Sequence, residues 1–156
     1  SPTQTAVSQL VVGGNPGPFR RMEHIFPDNG EIFVYHSFAT TTYNPSEDGA
    51  IDHINYFEDQ IVVNPPFAGA DVAAGLLMIQ NGTRFLRAAP ASGAFSNTTW
   101  QTAQALDVVQ AGFSGLDFSA SGGAITFGYY RANTRIGGGA LTLTHGLDNW
   151  RVEICR

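Results

Sequence analysis

Gly146-Leu147-Asp148-Asn149-Trp150-Arg151-Val152-Glu153-Ile154-Cys155 alternates with a period of two: Trp150, Val152 and Ile154 fall on one side, Asn149, Arg151 and Glu153 on the other. That is the pattern of a strand with one dry face. Asp148 has the parity of the apolar set, which places it on the core side, where a carboxylate needs a cation or several N–H donors. Upstream, Ile125-Thr-Phe-Gly-Tyr129 and Leu141-Thr-Leu143 repeat the period across Gly137-Gly-Gly139. Together these segments predict a closing set of β-strands.

Composition agrees with that reading. Charged residues make up 13% against 43% hydrophobic, with 18 Gly, 8 Pro, 11 Phe and 5 Tyr, a balance that favours strands and turns. The 156 residues read as a single domain (1–156), large enough to bury roughly 70% of its unfolded surface without obligatory metal or disulfide. The net charge is −5 and all eight basic residues are Arg, with no basic run, so nothing follows a phosphate backbone and nucleic acid is not an expected partner. No apolar run is long enough to span a bilayer, so no membrane insertion is expected. Cys155 has no second Cys for a disulfide and no metal spacing; it reads as a small apolar residue at a strand end, or as an intermolecular bridge. The chain starts Ser1-Pro2-Thr3; cleavage after a signal peptide produces such a start, as does any other trimming, and the expectation is a secreted protein.

Taken in order, Thr5 to Val12 is an apolar, β-prone arm ended by the breaker-rich Gly13-Gly14-Asn15-Pro16-Gly17-Pro18. The arm (1–14 as a separable unit) is either this domain's first strand or a strand donated to the sheet edge of another copy through Val7, Leu10 and Val12. Glu31 to Phe38 is apolar on both faces and predicts a central strand; Thr40 to Gly49 predicts a surface loop. Ile51 to Val63 predicts a long strand whose parity shifts between Tyr56 and Ile61, suggesting a bulge near Glu58 and Asp59. Asn81-Gly82 between Ala73–Gln80 and Thr83–Arg87 is a type I′ hairpin signal. Thr98 to Thr102 predicts a short strand. Gln104 to Phe118 has two readings, a helix on the spacing of Leu106, Val109 and Phe113, or a loop capped by Phe113 and Phe118. At least eight strands and no clear helix predict an all-β, two-sheet antiparallel sandwich.

The segments Ile54–Asp59, Gly75–Gly82, Thr98–Trp100, Phe118–Tyr129 and Gly146–Val152 resemble a group of secreted bacterial domains similar to the jelly-roll sandwiches of laminin-G-like and carbohydrate-binding modules. The resemblance implies a jelly roll and an exported or cell-surface location. It also implies that Asp148, in the closing Asp-Asn-Trp, binds a structural calcium, with Glu23, Asp28 or Glu31 as second ligand.

Catalytic patterns are weak. Gly112-Phe-Ser-Gly-Leu116 misses the last glycine of a nucleophile elbow. His24, His36, His53 and His145 show no ligand spacing. Glu47, Asp48, Asp52, Glu58 and Asp59 are the material for a carboxylate pair, but clustered acids near a loop more often form a solvated face or a cation site. The expectation is a non-enzyme. Two functions remain. One is a structural or adhesive surface protein, assembling with copies of itself or with matrix through the arm, which low surface charge favours. The other is a calcium-stabilised glycan-binding module, with Tyr130, Arg131 and Asn133 beside the semi-polar strip Thr126, Gly128, Tyr130 as its polysaccharide site.

Overall fold

The computed structural model describes residues 3–63, 70–90 and 99–156. Nine strands run in chain order: β1 Gln4–Gly14, β2 Gly17–Phe26, β3 Gly30–Tyr43, β4 His53–Val62, β5 Ala70–Gln80, β6 Thr83–Ala88, β7 Gln101–Val108, β8 Ile125–Arg135 and β9 Leu141–Cys155. The first residue of the strand expected at Thr98–Thr102 lies outside the described residues. A one-turn helix, α1 at Pro45–Asp48, follows β3 and is capped by the Asn44 side chain. All pairings are antiparallel, in a five-stranded sheet of order β1-β2-β9-β4-β7 and a four-stranded sheet of order β3-β8-β5-β6. Without β1, the orders 2-9-4-7 and 3-8-5-6 are those of an eight-stranded jelly roll, in which the chain alternates between sheets at nearly every connection. The all-β sandwich expected from the sequence is what forms.

Alternation along each strand builds the layer between the sheets. On β4, Ile54, Tyr56, Glu58, Gln60 and Val62 are all buried, and the residues between them are half-buried. On β8, Ile125, Phe127, Tyr129, Arg131 and Asn133 point the same way, toward Leu76 and Met78 of the neighbouring β5. Phe26, Ile32, Leu141 and Leu143 make a second apolar cluster nearer one end. Each fully buried side chain of this size contributes about 1.5–3 kcal/mol relative to exposure. The β5–β6 hairpin turns on Asn81 (φ 52) and Gly82 (φ 76), the two positive φ values a type I′ turn demands.

Four expectations need correction. The strand at Glu31–Phe38 lies at the edge of its sheet, and its apolar second face leaves Phe33 (47%) and Tyr35 (39%) exposed. Thr40 to Tyr43 continue that strand past a register shift between Ser37 and Thr42. Gln104 to Val108 belong to β7; only beyond them does the chain loop back, through a 3-10 turn at Gln110–Gly112, with Leu116 and Phe118 plugged into the core. Leu141–Cys155 is one 15-residue strand with a break in alternation at Asn149 (φ 47). Opposite Glu58, two residues of β9, Asn149 and Trp150, stand against one of β4, since Phe57 pairs with Arg151 and Asp59 with Asp148. The bulge is therefore where β4 suggested it, but the extra residue is on the partner strand. It reverses the parity of β9, so that Asp148 is turned away from the core while Trp150, Val152 and Ile154 still pack inward.

Candidate functional site

Glu58 and Asp59 follow one another on β4 and point to opposite sides of the five-stranded sheet. Asp59 lies on the outer side, with Asp148 as its cross-strand partner on β9. Like charges directly opposite on one face are unfavourable, and the chain answers with N–H and O–H donors. Asp59 accepts from Thr102 Oγ1 (2.8 Å), Asn149 Nδ2 (2.7 Å) and Asn15 Nδ2 (3.2 Å). Asp148 accepts the backbone N–H of Asn15 (2.5 Å) and of Asn149 (2.8 Å), and the Asn149 amide also donates to the Asn15 carbonyl. The β1–β2 turn is thereby fastened over the end of the sheet. Gly14 permits this closeness: a Cβ there would lie 2.6 Å from the Asp148 carboxylate.

Aromatic side chains stand on both sides of this polar knot. Toward β9's C-terminal end, Phe57 carries the Arg151 guanidinium over its ring at 4.4 Å. Toward the other end, Trp100 packs edge-on against Phe19 with centroids 5.3 Å apart and donates its indole N–H to the Gly13 carbonyl (3.2 Å). Trp100 reaches over Gly146, where a Cβ would come within 2.9 Å of its ring and 2.6 Å of Ile61. Gly146 pairs with Ile61, four residues along β4 from Phe57, so the two aromatic stations are separated by roughly 13 Å at about 3.3 Å per residue. A cleft of about 510 Å³ opens beside Phe57, lined also by Glu58, Asp59, Thr102, Asn149, Trp150 and Arg151, within the range of small-molecule sites. Flat apolar surfaces flank planar carboxylate, amide and guanidinium groups, a combination that stacks on a ring and hydrogen-bonds its hydroxyls.

The side chains singled out in the sequence are distributed differently. Tyr130 is on the outer side of the other sheet and only 6% exposed, because β8 is an inner strand and β3 and β5 enclose the ring. Arg131 and Asn133 face the interior, at 1% exposure each. These three positions do not come together as a solvent-facing strip. Arg131 donates to the Glu58 carboxylate (3.0 Å), which also accepts the Tyr56 hydroxyl (2.5 Å). Burial, and then the Glu58 carboxylate, push the Tyr56 phenol well above its usual pKa. Asn133 Oδ1 accepts from His24 (2.5 Å) and His145 (2.9 Å), fixing the N–H tautomer of both rings.

The acids read as one group are dispersed. Glu47 and Asp48 lie in α1, Asp52 pairs with His53 at 2.8 Å, and Glu58 and Asp59 are separated by the sheet. A calcium ion at Asp148 is not matched by its surroundings: both carboxylate oxygens already face N–H hydrogens. Glu23 is paired with Arg21 at 2.6 Å, Asp28 accepts from Asn29, and Glu31 is in the other sheet. Among the described residues no three His, Cys, Asp or Glu side chains gather to hold a metal. The residues present do not fit the ion.

Trp100, Phe57, Thr102, Asn149 and Asn15 are the members that sequence reasoning missed. The signal that could have found them is the alternation of Trp100, Thr102 and Gln104 on one side of a short strand, opposite Phe57 and Asp59.

Neither a protein-family model nor a curated protein matches the chain. Solved structures do. A carbohydrate-binding module of the β-sandwich superfamily is 9% identical, with 97% of this chain and 54% of that one covered and a TM-score of 0.48. A family 11 carbohydrate-binding module from Clostridium thermocellum, solved with a β-1,3-1,4-mixed-linked tetrasaccharide, is 10% identical, with 99% and 84% covered and a TM-score of 0.46. An exo-β-agarase is 12% identical, with 99% and 23% covered and a TM-score of 0.42. The chain spans about half the length of the first of these and under a quarter of the agarase. The likeness is one of general β-sandwich architecture.

Proposed function

We propose that this protein is a non-catalytic carbohydrate-binding module that takes a short stretch of polysaccharide along the outer side of its five-stranded sheet. The observation that carries this reading is the row Trp100, Asp59 with Asn149 and Thr102, then Phe57 with Arg151, on one face beside a 510 Å³ cleft. Aromatic faces stack on the C–H surface of sugar rings, while the carboxylate, hydroxyl and guanidinium select hydroxyl positions between them. Affinity electrophoresis and calorimetry against a panel of soluble β-glucans and galactans test the reading. Trp100→Ala and Phe57→Ala should each weaken binding at least tenfold while thermal unfolding stays cooperative. Unchanged affinity in both variants, or no retention on any polysaccharide by the wild-type chain, would remove the proposal.

A second reading keeps the assembling surface protein. β1 is an addition to a complete jelly roll, pairs only with β2 of its own chain among the described residues, and leaves Val7 (45%), Leu10 (36%) and Val12 (73%) exposed. An unpaired strand edge of this kind templates a further strand. Light scattering distinguishes the readings: concentration-dependent particles that vanish when residues 1–14 are deleted support assembly through the edge, and a monomer at all concentrations leaves the glycan reading alone. Export to the cell exterior is the location in which either function operates.

A further inference from the structure

We infer that two copies of this chain pair through the outer edge of β1, strand against strand about a two-fold axis, and that the assembly stops at two. The inference rests on the reading of β1 as an assembly edge, to which it adds the partner and the symmetry; it does not depend on the glycan reading. The sandwich has four strand edges, at β1, β7, β3 and β6. Three of them carry devices that keep an edge from accepting a foreign strand: charge, irregularity, shortness or cover. β6 is six residues long and holds Arg84 and Arg87, both exposed. β3 carries the exposed Glu31 and is interrupted by the register shift between Ser37 and Thr42. On β7 the Gln104 N–H donates to the Pro90 carbonyl (3.5 Å), and the register shifts beside Asp107 (φ 50), whose side chain is 85% exposed.

From Gln4 to Leu10, β1 has none of these devices. The stretch keeps one register against β2, from Gln4 opposite Ile25 to Leu10 opposite Phe19. It holds no charged residue and no proline, and every residue in it is exposed, so neither face of the strand is covered. A head-to-tail contact joins two different edges and needs a second open one, whereas a two-fold contact joins one edge to itself. With a single open edge among the described residues, the strand that fits β1 is β1 of another copy. A register centred on Val7 overlaps the whole stretch: Val7 of one copy meets Val7 of the other, Thr5 meets Gln9, Ala6 meets Ser8 and Gln4 meets Leu10. All four pairs are neutral, so a chain of net charge −5 meets its copy without like charges opposed along the seam. At about 3.4 Å per residue the seam is roughly 24 Å long. Burying roughly 500 Å² on each copy places it at the lower limit of specific interfaces, about 1,000 Å² in total. The dimer is accordingly a weak one, formed at micromolar concentrations and above. A two-fold axis through a sheet keeps both outer sides facing the same way, so the two clefts open side by side, roughly 30 Å apart at about 4.8 Å per strand.

Sedimentation equilibrium of the full chain, from micromolar to millimolar concentration, tests the inference. The mass should rise from the 16.7 kDa of one chain to twice that and go no further. Val7→Lys and Val7→Glu each set like charges opposite one another on the axis and should weaken pairing about fivefold. Mixed in equal amounts, the two variants should pair again, because opposite charges then meet. Val7 is exposed at 45%, so both variants should unfold as cooperatively as the wild-type chain. Particles that grow past two copies would keep β1 as an assembly edge and overturn the two-fold; a monomer at every concentration would overturn both. Charged variants that pair as the wild type does, or that fail to recombine on mixing, would also overturn the contact of this edge with itself. Should either variant fail to fold, the wild-type mass alone decides.

Discussion

Two adjacent carboxylates face opposite environments in this molecule. Glu58 is inside the sandwich at 1% exposure, held by one guanidinium and one phenol. Asp59, one residue on, is half-buried on the outer side and is held by two side-chain amides and a threonine hydroxyl. Removing a carboxylate from water completely demands a full opposite charge. Leaving it at the surface demands only donors that orient it. The same chemical group is thus a structural element on one side of β4 and, in the glycan site proposed above, a recognition element on the other.

The largest effect expected from this contrast is at the interior member. Glu58→Gln leaves Arg131 as an uncompensated buried charge and should destabilise the fold by about 3–5 kcal/mol. Urea denaturation measures it, and Glu58→Leu combined with Arg131→Met should recover much of the loss. A single-variant loss below about 1 kcal/mol would mean that Glu58 is no more committed to structure than Asp59.

Acid provides the next effect, through the histidines that share the interior. Burial, then the positive charge of Arg131, lowers His145 to about 3, and burial with Arg20 and Arg131 lowers His36 to about 4. Both folded values are below the ordinary 6.5, so the unfolded chain takes up protons first as pH falls. Stability is whole above pH 6.5 and declines from there toward pH 4 and 3. By pH 5 each ring should have lost about 2 kcal/mol of stabilisation. Denaturation midpoints at pH 7.5 and pH 5 read this directly, and His36→Gln should remove part of the slope. Stability flat over that interval would show that the interior polar layer is open to water.

The polar character of that layer is also what makes the sequence hard to read. The β5–β6 hairpin is legible because Asn81-Gly82 satisfies a local φ requirement, and the closing strands because Phe127, Tyr129, Val152 and Ile154 are apolar where they are buried. On β4, by contrast, Glu58 and Gln60 occupy core positions, and a pattern of apolar residues reads polar core residues as a change of face. The parity shift along β4 is the signature of an ion pair whose partner, Arg131, is 73 residues away. On β9 the misreading runs the other way: parity assigns Asp148 to the core because the inserted Asn149 cannot be seen in an alternation that looks unbroken. The cleft is illegible for a similar reason. Its members come from the β1–β2 turn, β4, β7 and β9, and only sheet order brings Asn15, Asp59, Thr102 and Asn149 together.

Smaller changes are expected on the outer side. Asp59→Ala removes an acceptor of three hydrogen bonds from groups that water can still reach, so its effect on stability should be about 1 kcal/mol. Its effect on polysaccharide binding should be larger, at least tenfold, since the carboxylate is the central hydrogen-bonding group between Trp100 and Phe57. A variant that loses several kcal/mol and binds normally would reverse the assignment of the two carboxylates.

The smallest effect concerns Asp148, and here the direction across two buffers matters more than the size. If the carboxylate is satisfied by the Asn15 and Asn149 N–H groups, Asp148→Ala should lower stability by about 1 kcal/mol to the same extent in calcium and in chelator. If a cation were the partner, the wild-type chain alone would gain stability on calcium addition, through binding to the folded state, and the variant would not. Equal melting of the wild-type chain in both buffers, with a modest and buffer-independent loss in the variant, makes Asp148 the fastener of the β1–β2 turn over the cleft. The affinity for polysaccharide should then fall with the ordering of that turn, because Asn15 reaches Asp59 only while Asp148 holds its backbone.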